Sequence, residues 1–185
     1  MPESNVTVTA TFVKTSYSVS AGPQTNGTFT VSTTSIQWGE TVTISNVTPN
    51  TGYETSRMYY SNGTTEVDIV SNSFEMPKSD VTVYVEFTKV DYSVSKATAV
   101  NGSFKVKNSG GAEITKANYQ DVITVDATAD DGYIVDEITV TDADSNPVTV
   151  SGTNFTMPAS AVTVSVTFKA QSSGPNPPDY NIEKW

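Results

Sequence analysis

Met76-Pro77-Lys78-Ser79-Asp80-Val81-Thr82-Val83-Tyr84-Val85-Glu86-Phe87 decides how this chain reads, and it has two counterparts. One is Met157-Pro158-Ala159-Ser160-Ala161-Val162-Thr163-Val164, closing at Phe168. The other is Met1-Pro2-Glu3-Ser4-Asn5-Val6-Thr7-Val8, closing at Phe12. Met and Phe stand 11 positions apart in all three. Past the Met-Pro the residues alternate: Val81, Val83, Val85 and Phe87 fall on one side, Thr82, Tyr84 and Glu86 on the other. A period of two is the mark of a half-buried β-strand with its Val/Phe face inward. Proline heads the strand, where its missing N–H costs the ladder nothing.

Outward from this motif the chain divides into four parts. Residues 1–14 are one copy of the strand with no body in front of it. Val6, Val8, Ala10 and Phe12 are expected to bury their face against something, because a lone strand with two open edges is unstable. Residues 15–89 form a first module of about six short strands. These are Tyr17 to Ser20, Thr28 to Ser32, Thr41 to Val47, Tyr53 to Tyr60, Val67 to Val70 and the Met76 segment, with Asn26-Gly27 and Asn62-Gly63 as tight-turn signals. Residues 90–169 repeat the landmarks: Tyr92 for Tyr17, Asn101-Gly102 for Asn26-Gly27, Gly132-Tyr133 for Gly52-Tyr53, Phe155-Thr156-Met157-Pro158 for Phe74-Glu75-Met76-Pro77. Most of the difference in length is a longer loop around Asn108-Ser109-Gly110-Gly111. Ile123, Val125 and Ala127 alternate cleanly, whereas Val42, Ile44 and Val47 do not, which predicts a β-bulge near Ser45-Asn46. Ala112 to Tyr119 could hold one helical turn at most. Residues 170–185 read as a Pro-rich linker, Gly174 to Pro178, and a tail carrying Tyr180, Ile182 and Trp185. The fold expected is all-β: two tandem small modules, β-grasp-like or β-sandwich-like, in an elongated arrangement with short Lys-x-x-Tyr joints.

Composition narrows the function. The 185 residues carry 20 acidic and 10 basic side chains, a net charge of −10, which disfavours nucleic acid and anionic membranes. No apolar run approaches the roughly 20 residues of a membrane span, so no membrane insertion is expected. The chain has no His and no Cys. That removes Ser–His and Cys–His nucleophiles, the usual zinc sites and disulfides, and no glycine-rich phosphate loop is present. The expectation is a protein that is not an enzyme and uses no cofactor.

In order, the landmarks are a Tyr-led strand, an Asn-Gly turn, a polar-Val-Thr strand, Gly-Tyr, an Asp-rich hairpin at Thr141-Asp142-Ala143-Asp144-Ser145-Asn146, and Phe-x-Met-Pro-x-x-x-Val-Thr-Val. The chain thereby resembles the divergent internalin-B-like B-repeat, as two copies over 15–169 and the end of a third over 1–14. The resemblance implies a β-grasp-like unit, a role as a spacer in large bacterial surface proteins with occasional contact to host molecules, and no common catalytic residue.

Several residues invite a sharper reading. Asp142, Asp144 and Asn146 have the alternate spacing that opens a calcium loop, but Pro147 stands where an EF-hand needs Gly and Thr153 where it needs Glu. Turn chemistry is the competing explanation. Trp38, Tyr59 and Tyr60 occur in the first module only and could form a glycan platform, with Tyr59 and Tyr60 on opposite faces. Lys14, Lys89 and Lys169 sit at equivalent positions past each closing strand, as isopeptide donors or plain linker residues. Protein partners or self-association are expected through the 1–14 arm (Val6, Val8, Phe12) and the tail (Tyr180, Ile182, Trp185). Met1-Pro2-Glu3-Ser4 opens into a strand without a signal peptide, so the chain is expected to be either a piece of an exported protein or a virion component. The leading expectation is a stalk or adhesin repeat at the cell surface. A virion decoration or fibre protein and a glycan-binding module are the alternatives.

Overall fold

The computed structural model describes Glu3 and residues 5–172. The chain separates into two units at Lys89/Val90. Module 1 has eight strands: β1 (Ser16–Ala21), β2 (Gly27–Val31), β3 (Ser35–Gln37), β4 (Thr41–Pro49), β5 (Tyr53–Ser61), β6 (Glu66–Asp68), β7 (Ser73–Glu75) and β8 (Val81–Lys89). They form a five-stranded sheet, β3-β1-β8-β5-β6, and a three-stranded sheet, β2-β4-β7. Module 2 also has eight: β9 (Asp91–Lys96), β10 (Gly102–Lys107), β11 (Lys116–Asn118), β12 (Val122–Ala129), β13 (Tyr133–Asp142), β14 (Val150–Ser151), β15 (Asn154–Thr156) and β16 (Val162–Ala170). Its sheets are β11-β9-β16-β13 and β10-β12-β15-β14. No helix occurs among the described residues.

The Met-Pro motif is the centre of each module. β8 pairs antiparallel with β5 along one edge and parallel with β1 along the other. β16 does the same between β13 and β9. Val81, Val83 and Val85 are 3, 0 and 5% exposed, and Val162, Val164 and Val166 match them at 2, 0 and 3%. Each valine row packs against the second sheet of its own module. Val42 and Ile44 from β4, Phe29 from β2 and Met76 complete one core; Ile123 and Val125 from β12, Val106 from β10, Phe155 and Met157 complete the other. With a sheet in place of a helix over the valine row, each module is a β-sandwich rather than a β-grasp.

The strand count exceeds the expected six because β3, β7, β11 and β15 are three-residue strands, too short to show a period. Lys116–Asn118 is one of them, where at most a helical turn was anticipated. A second correction concerns Asn26-Gly27. β1 and β2 do not pair; they belong to different sheets, so the segment is a crossing rather than a hairpin. Asn26 and Asn101 supply the left-handed residue, at φ 65° and 66°. The glycine is needed for space: a Cβ on Gly27 would lie 2.5 Å from the Phe87 ring, and one on Gly102 2.5 Å from Phe168. The Asn-Gly landmark and the Phe that closes the Met-Pro motif are therefore two halves of one contact.

The register of β2 on β4 shifts so that Thr28 faces Thr48 and Thr30 faces Ser45. Asn46 and Val47 together oppose the single residue Phe29, with Asn46 at φ 53°, a bulge at the expected place. β10 runs against β12 without interruption. Two further bulges, at Ser56 in β5 and Asp136 in β13, stand at equivalent points of the two modules.

Residues 5–15 adopt no regular structure, and Val6, Val8 and Phe12 are 68, 88 and 91% exposed. The strand expected there does not form: residues 5–15 pair with none of the sheet edges in the described residues. Tyr180, Ile182 and Trp185 lie outside the described residues.

Candidate functional site

The outward face of β5 and β8 gives module 1 its most distinctive surface. The bulge at Ser56 resets the alternation so that Met58 and Tyr60 face the core while Arg57 and Tyr59 face out. Tyr60 stacks on Phe74 of the other sheet, centroids 4.5 Å apart, tying the sandwich together. Tyr59 stands opposite Tyr84 in the ladder, and their rings stack at 5.0 Å with an interplanar angle of 15°. The Arg57 guanidinium lies over Tyr59 at 4.1 Å. The second ring and the guanidinium thus both pack on Tyr59, which is half-buried. Tyr84 in turn lies on the backbone at Gly22, where a Cβ would come 2.6 Å from the ring.

Arg57 is held by two carboxylates from the adjoining hairpin, Glu66 at 2.9 Å and Asp68 at 2.7 Å. The hydrogen bond to Glu66, then that to Asp68, raises its pKa further, so the cation is permanent. Burial of the ring, then the charge of Glu66, pushes the Tyr59 hydroxyl up, so it remains a neutral phenol at physiological pH. A groove of about 280 Å³ runs beside this stack, lined by Tyr59 itself and by Pro23, Thr25, Tyr84, Glu86 and Phe87 among others. Sugar stacking requires an open ring face, and the Tyr84 ring and the Arg57 guanidinium compete for that of Tyr59.

Trp38 is 37% exposed, in a turn bound to the Met-Pro motif. The N–H of Gly39 donates to Met76 O at 2.8 Å, and that of Met76 to Glu40 O at 2.8 Å. Lys14 and Lys78 both lie over the indole, at 5.1 and 4.4 Å. Module 2 has the same turn around Tyr119: Gln120 donates to Met157 O and Met157 to Asp121 O. The residue after the aromatic takes positive φ in both, Gly39 at 81° and Gln120 at 70°. Sequence reading missed this turn, because Gln120 gives no sign of it.

The Asp-rich hairpin is a hydrogen-bonded turn. Asp142 Oδ1 accepts from the N–H groups of Asp144 and Asn146, at 2.9 and 2.8 Å, and Asp142 Oδ2 from Asn146 Nδ2 at 3.1 Å. These bonds, that from the Asn146 side chain foremost, hold the Asp142 carboxyl below the usual range. Asn62 caps the corresponding hairpin of module 1, its Oδ1 accepting from Thr64 and Thr65. The alternate spacing thus serves the turn, and no cluster of three or more His, Cys, Asp or Glu placed to hold a metal occurs among the described residues.

Further charged contacts include three lysine–carboxylate pairs and a carboxylate–backbone contact. Lys169 meets Asp136, the bulge residue, at 2.8 Å. Lys96 pairs with Glu113 across a groove of about 710 Å³ beside β9, and Lys107 pairs with Asp126. The first partner lowers the carboxyl pKa of Glu113, the second that of Asp126. Asp80 accepts the backbone N–H of Ser18 at 2.7 Å, which lowers its pKa and ties the start of β8 to β1.

Two stretches, residues 17–91 and 92–172, match the family model described as the divergent InlB B-repeat domain. The chain belongs to the divergent InlB B-repeat family. Its two B-repeats coincide with the two sandwiches, each opening at the Tyr-led strand and ending past the Met-Pro strand. The family consists of structural repeats, generally found in extracellular proteins of the bacterial surface. No curated protein matches the chain. No helix among the described residues is long and apolar enough to cross a membrane.

Proposed function

We propose that this pair of B-repeats is a non-enzymatic spacer that holds other parts of a bacterial surface protein away from the cell. What carries this reading is the division of labour within each module. The valine rows and their partners fill a closed core, and Arg57, Asp80, Lys96, Lys107, Asp142 and Lys169 are engaged in pairs and turns. The aromatic stack of module 1 fits a structural role better than glycan contact, because Tyr59, Tyr84 and Arg57 pack on one another and Arg57 is held by Glu66 and Asp68. The stability of such a spacer comes from cores sealed by the same strand, which suits a protein without cysteines.

Expression of one and of two copies of the chain between a cell-wall anchor and an epitope tests the reading. Access of a bulky antibody to the epitope is expected to rise with copy number, and to be unchanged when Tyr59 and Tyr84 are replaced by serine. Access independent of copy number would contradict a spacing role.

A further inference from the structure

The pairing of the terminal strands gives each module a mechanical property. In module 1 the first strand and the last are neighbours and parallel: Val19 faces Val81, Ser20 faces Thr82 and Ala21 faces Val83. The Gly22 N–H extends the seam by donating to Val83 O at 2.8 Å. In module 2 Val94 faces Val162, Ser95 faces Thr163 and Lys96 faces Val164, and Ala97 donates to Val164 O at 2.8 Å. The chain enters each module at the start of the first strand and leaves at the end of the last.

Tension along the chain therefore draws two parallel strands lengthwise past each other. Every hydrogen bond of the seam is loaded at once and must fail together. The closing strand is also held on its other edge, where β8 runs against β5 from Tyr53↔Lys89 to Ser61↔Thr82. To slide, it must break that ladder too and drag Val81, Val83 and Val85 out of the core. Force on two residues facing each other at the open end of an antiparallel ladder acts differently. It opens one pair at a time, and each pair resists alone.

We propose that each module is a shear clamp, built to carry tension from its entry to its exit. The inference deepens the spacer reading and rests on it: a spacer between a cell and what it holds is pulled from its ends. Resistance of this kind is a property of the unfolding barrier along one direction rather than of equilibrium stability.

The chain has no cysteine, so introduced thiols are unique handles for single-molecule pulling. Thr88→Cys is combined with Ser16→Cys in one full-length variant and with Glu54→Cys in another; all three positions are exposed. The first pair loads β1 against β8 in shear, and the second peels β5 from β8, since Glu54 faces Thr88. At ~3.6 Å per residue, less the folded separation of the handles, unfolding releases about 225 Å of chain in the first geometry and about 115 Å in the second, which identifies the events. At one loading rate the shear geometry is expected to need at least twofold more force. A smaller ratio, or the reverse order, overturns the proposal. Should either variant fail to fold, Lys169→Cys with Asp91→Cys, against Lys169→Cys with Ile134→Cys, asks the same of module 2. A failed ratio with epitope access still rising with copy number would remove the clamp and leave the spacer reading standing.

Discussion

The two modules share their inward residues and differ in their outward ones. Val81, Val83 and Val85 have counterparts in Val162, Val164 and Val166, and Met76 in Met157, all of them buried. On the opposite face of the same strands, Arg57, Tyr59, Tyr84 and Glu86 of module 1 give way to Glu137, Thr139, Ser165 and Thr167 of module 2. The cation–aromatic stack is thus an addition to a scaffold that closes without it. One module fastens its surface with Arg57 between two acids, the other with Lys96–Glu113, Lys107–Asp126 and Lys169–Asp136. The core face answers to packing, where a lost methylene is felt. The outer face answers to pairwise contacts that are individually weak and replaceable.

The comparison can be broken most forcibly at the two crossing glycines. For Gly27→Ala the three nearest atoms all belong to the Phe87 ring, which can tilt. Gly102→Ala meets the Phe168 ring and also the backbone oxygen of Thr128 at 2.7 Å, which cannot swing aside. Overpacking of this kind costs about 1–3 kcal/mol, and Gly102→Ala is expected at the upper end, Gly27→Ala at the lower. Denaturant midpoints of the two variants check the order; equal losses would show that the ring alone decides.

A smaller effect is expected from the outer face. Arg57→Ala removes a guanidinium from Tyr59, Glu66 and Asp68 together, and should lower the melting temperature of module 1 by less than Gly102→Ala lowers that of module 2. Module 2 should not respond. Raising the salt concentration should shrink the difference, because exposed pairs are screened. An Arg57→Ala effect that persists in high salt would mean that the stacking, not the charge, matters.

The smallest difference lies in acid. Carboxyl groups held low in the folded state stabilise it above their unfolded pKa of about 4. That stability is lost as pH falls through the folded value. Module 2 has three such groups, Glu113, Asp126 and Asp142, and module 1 has Asp80. Between neutrality and about pH 3, amide signals of module 2 should therefore lose thermal stability somewhat faster than those of module 1. The opposite order would show that the pairs of module 2 add nothing.

Much of this fold was legible because the Met-Pro strand repeats with a clean period of two and with Val at each inward position. The bulge at Asn46 was legible too, since Val47 falls one place out of phase. Three-residue strands such as Ser35–Gln37 were not, as one apolar residue makes no period. Asn26-Gly27 read as a hairpin because dipeptide chemistry records φ but not the aromatic ring that will press on the glycine. Tyr59 was legible as facing away from Met58 and Tyr60, but its contacts with Tyr84 and Arg57 were not, because they come from a ladder register that depends on the Ser56 bulge. The arm shows the converse limit: Val6, Val8 and Phe12 carry the strand pattern, yet a strand forms only when paired, and a pattern does not say with what.

Hydrogen exchange on the full chain carrying Val83→Asp is the most direct measurement. An unpaired carboxylate at a position with no exposure should unfold the module around it. Amides of Val42–Ile44 and Val81–Val85 are expected to lose protection, while those of Val122–Ala129 and Val162–Val166 keep theirs. Loss of protection in both sets would contradict two separately sealed repeats.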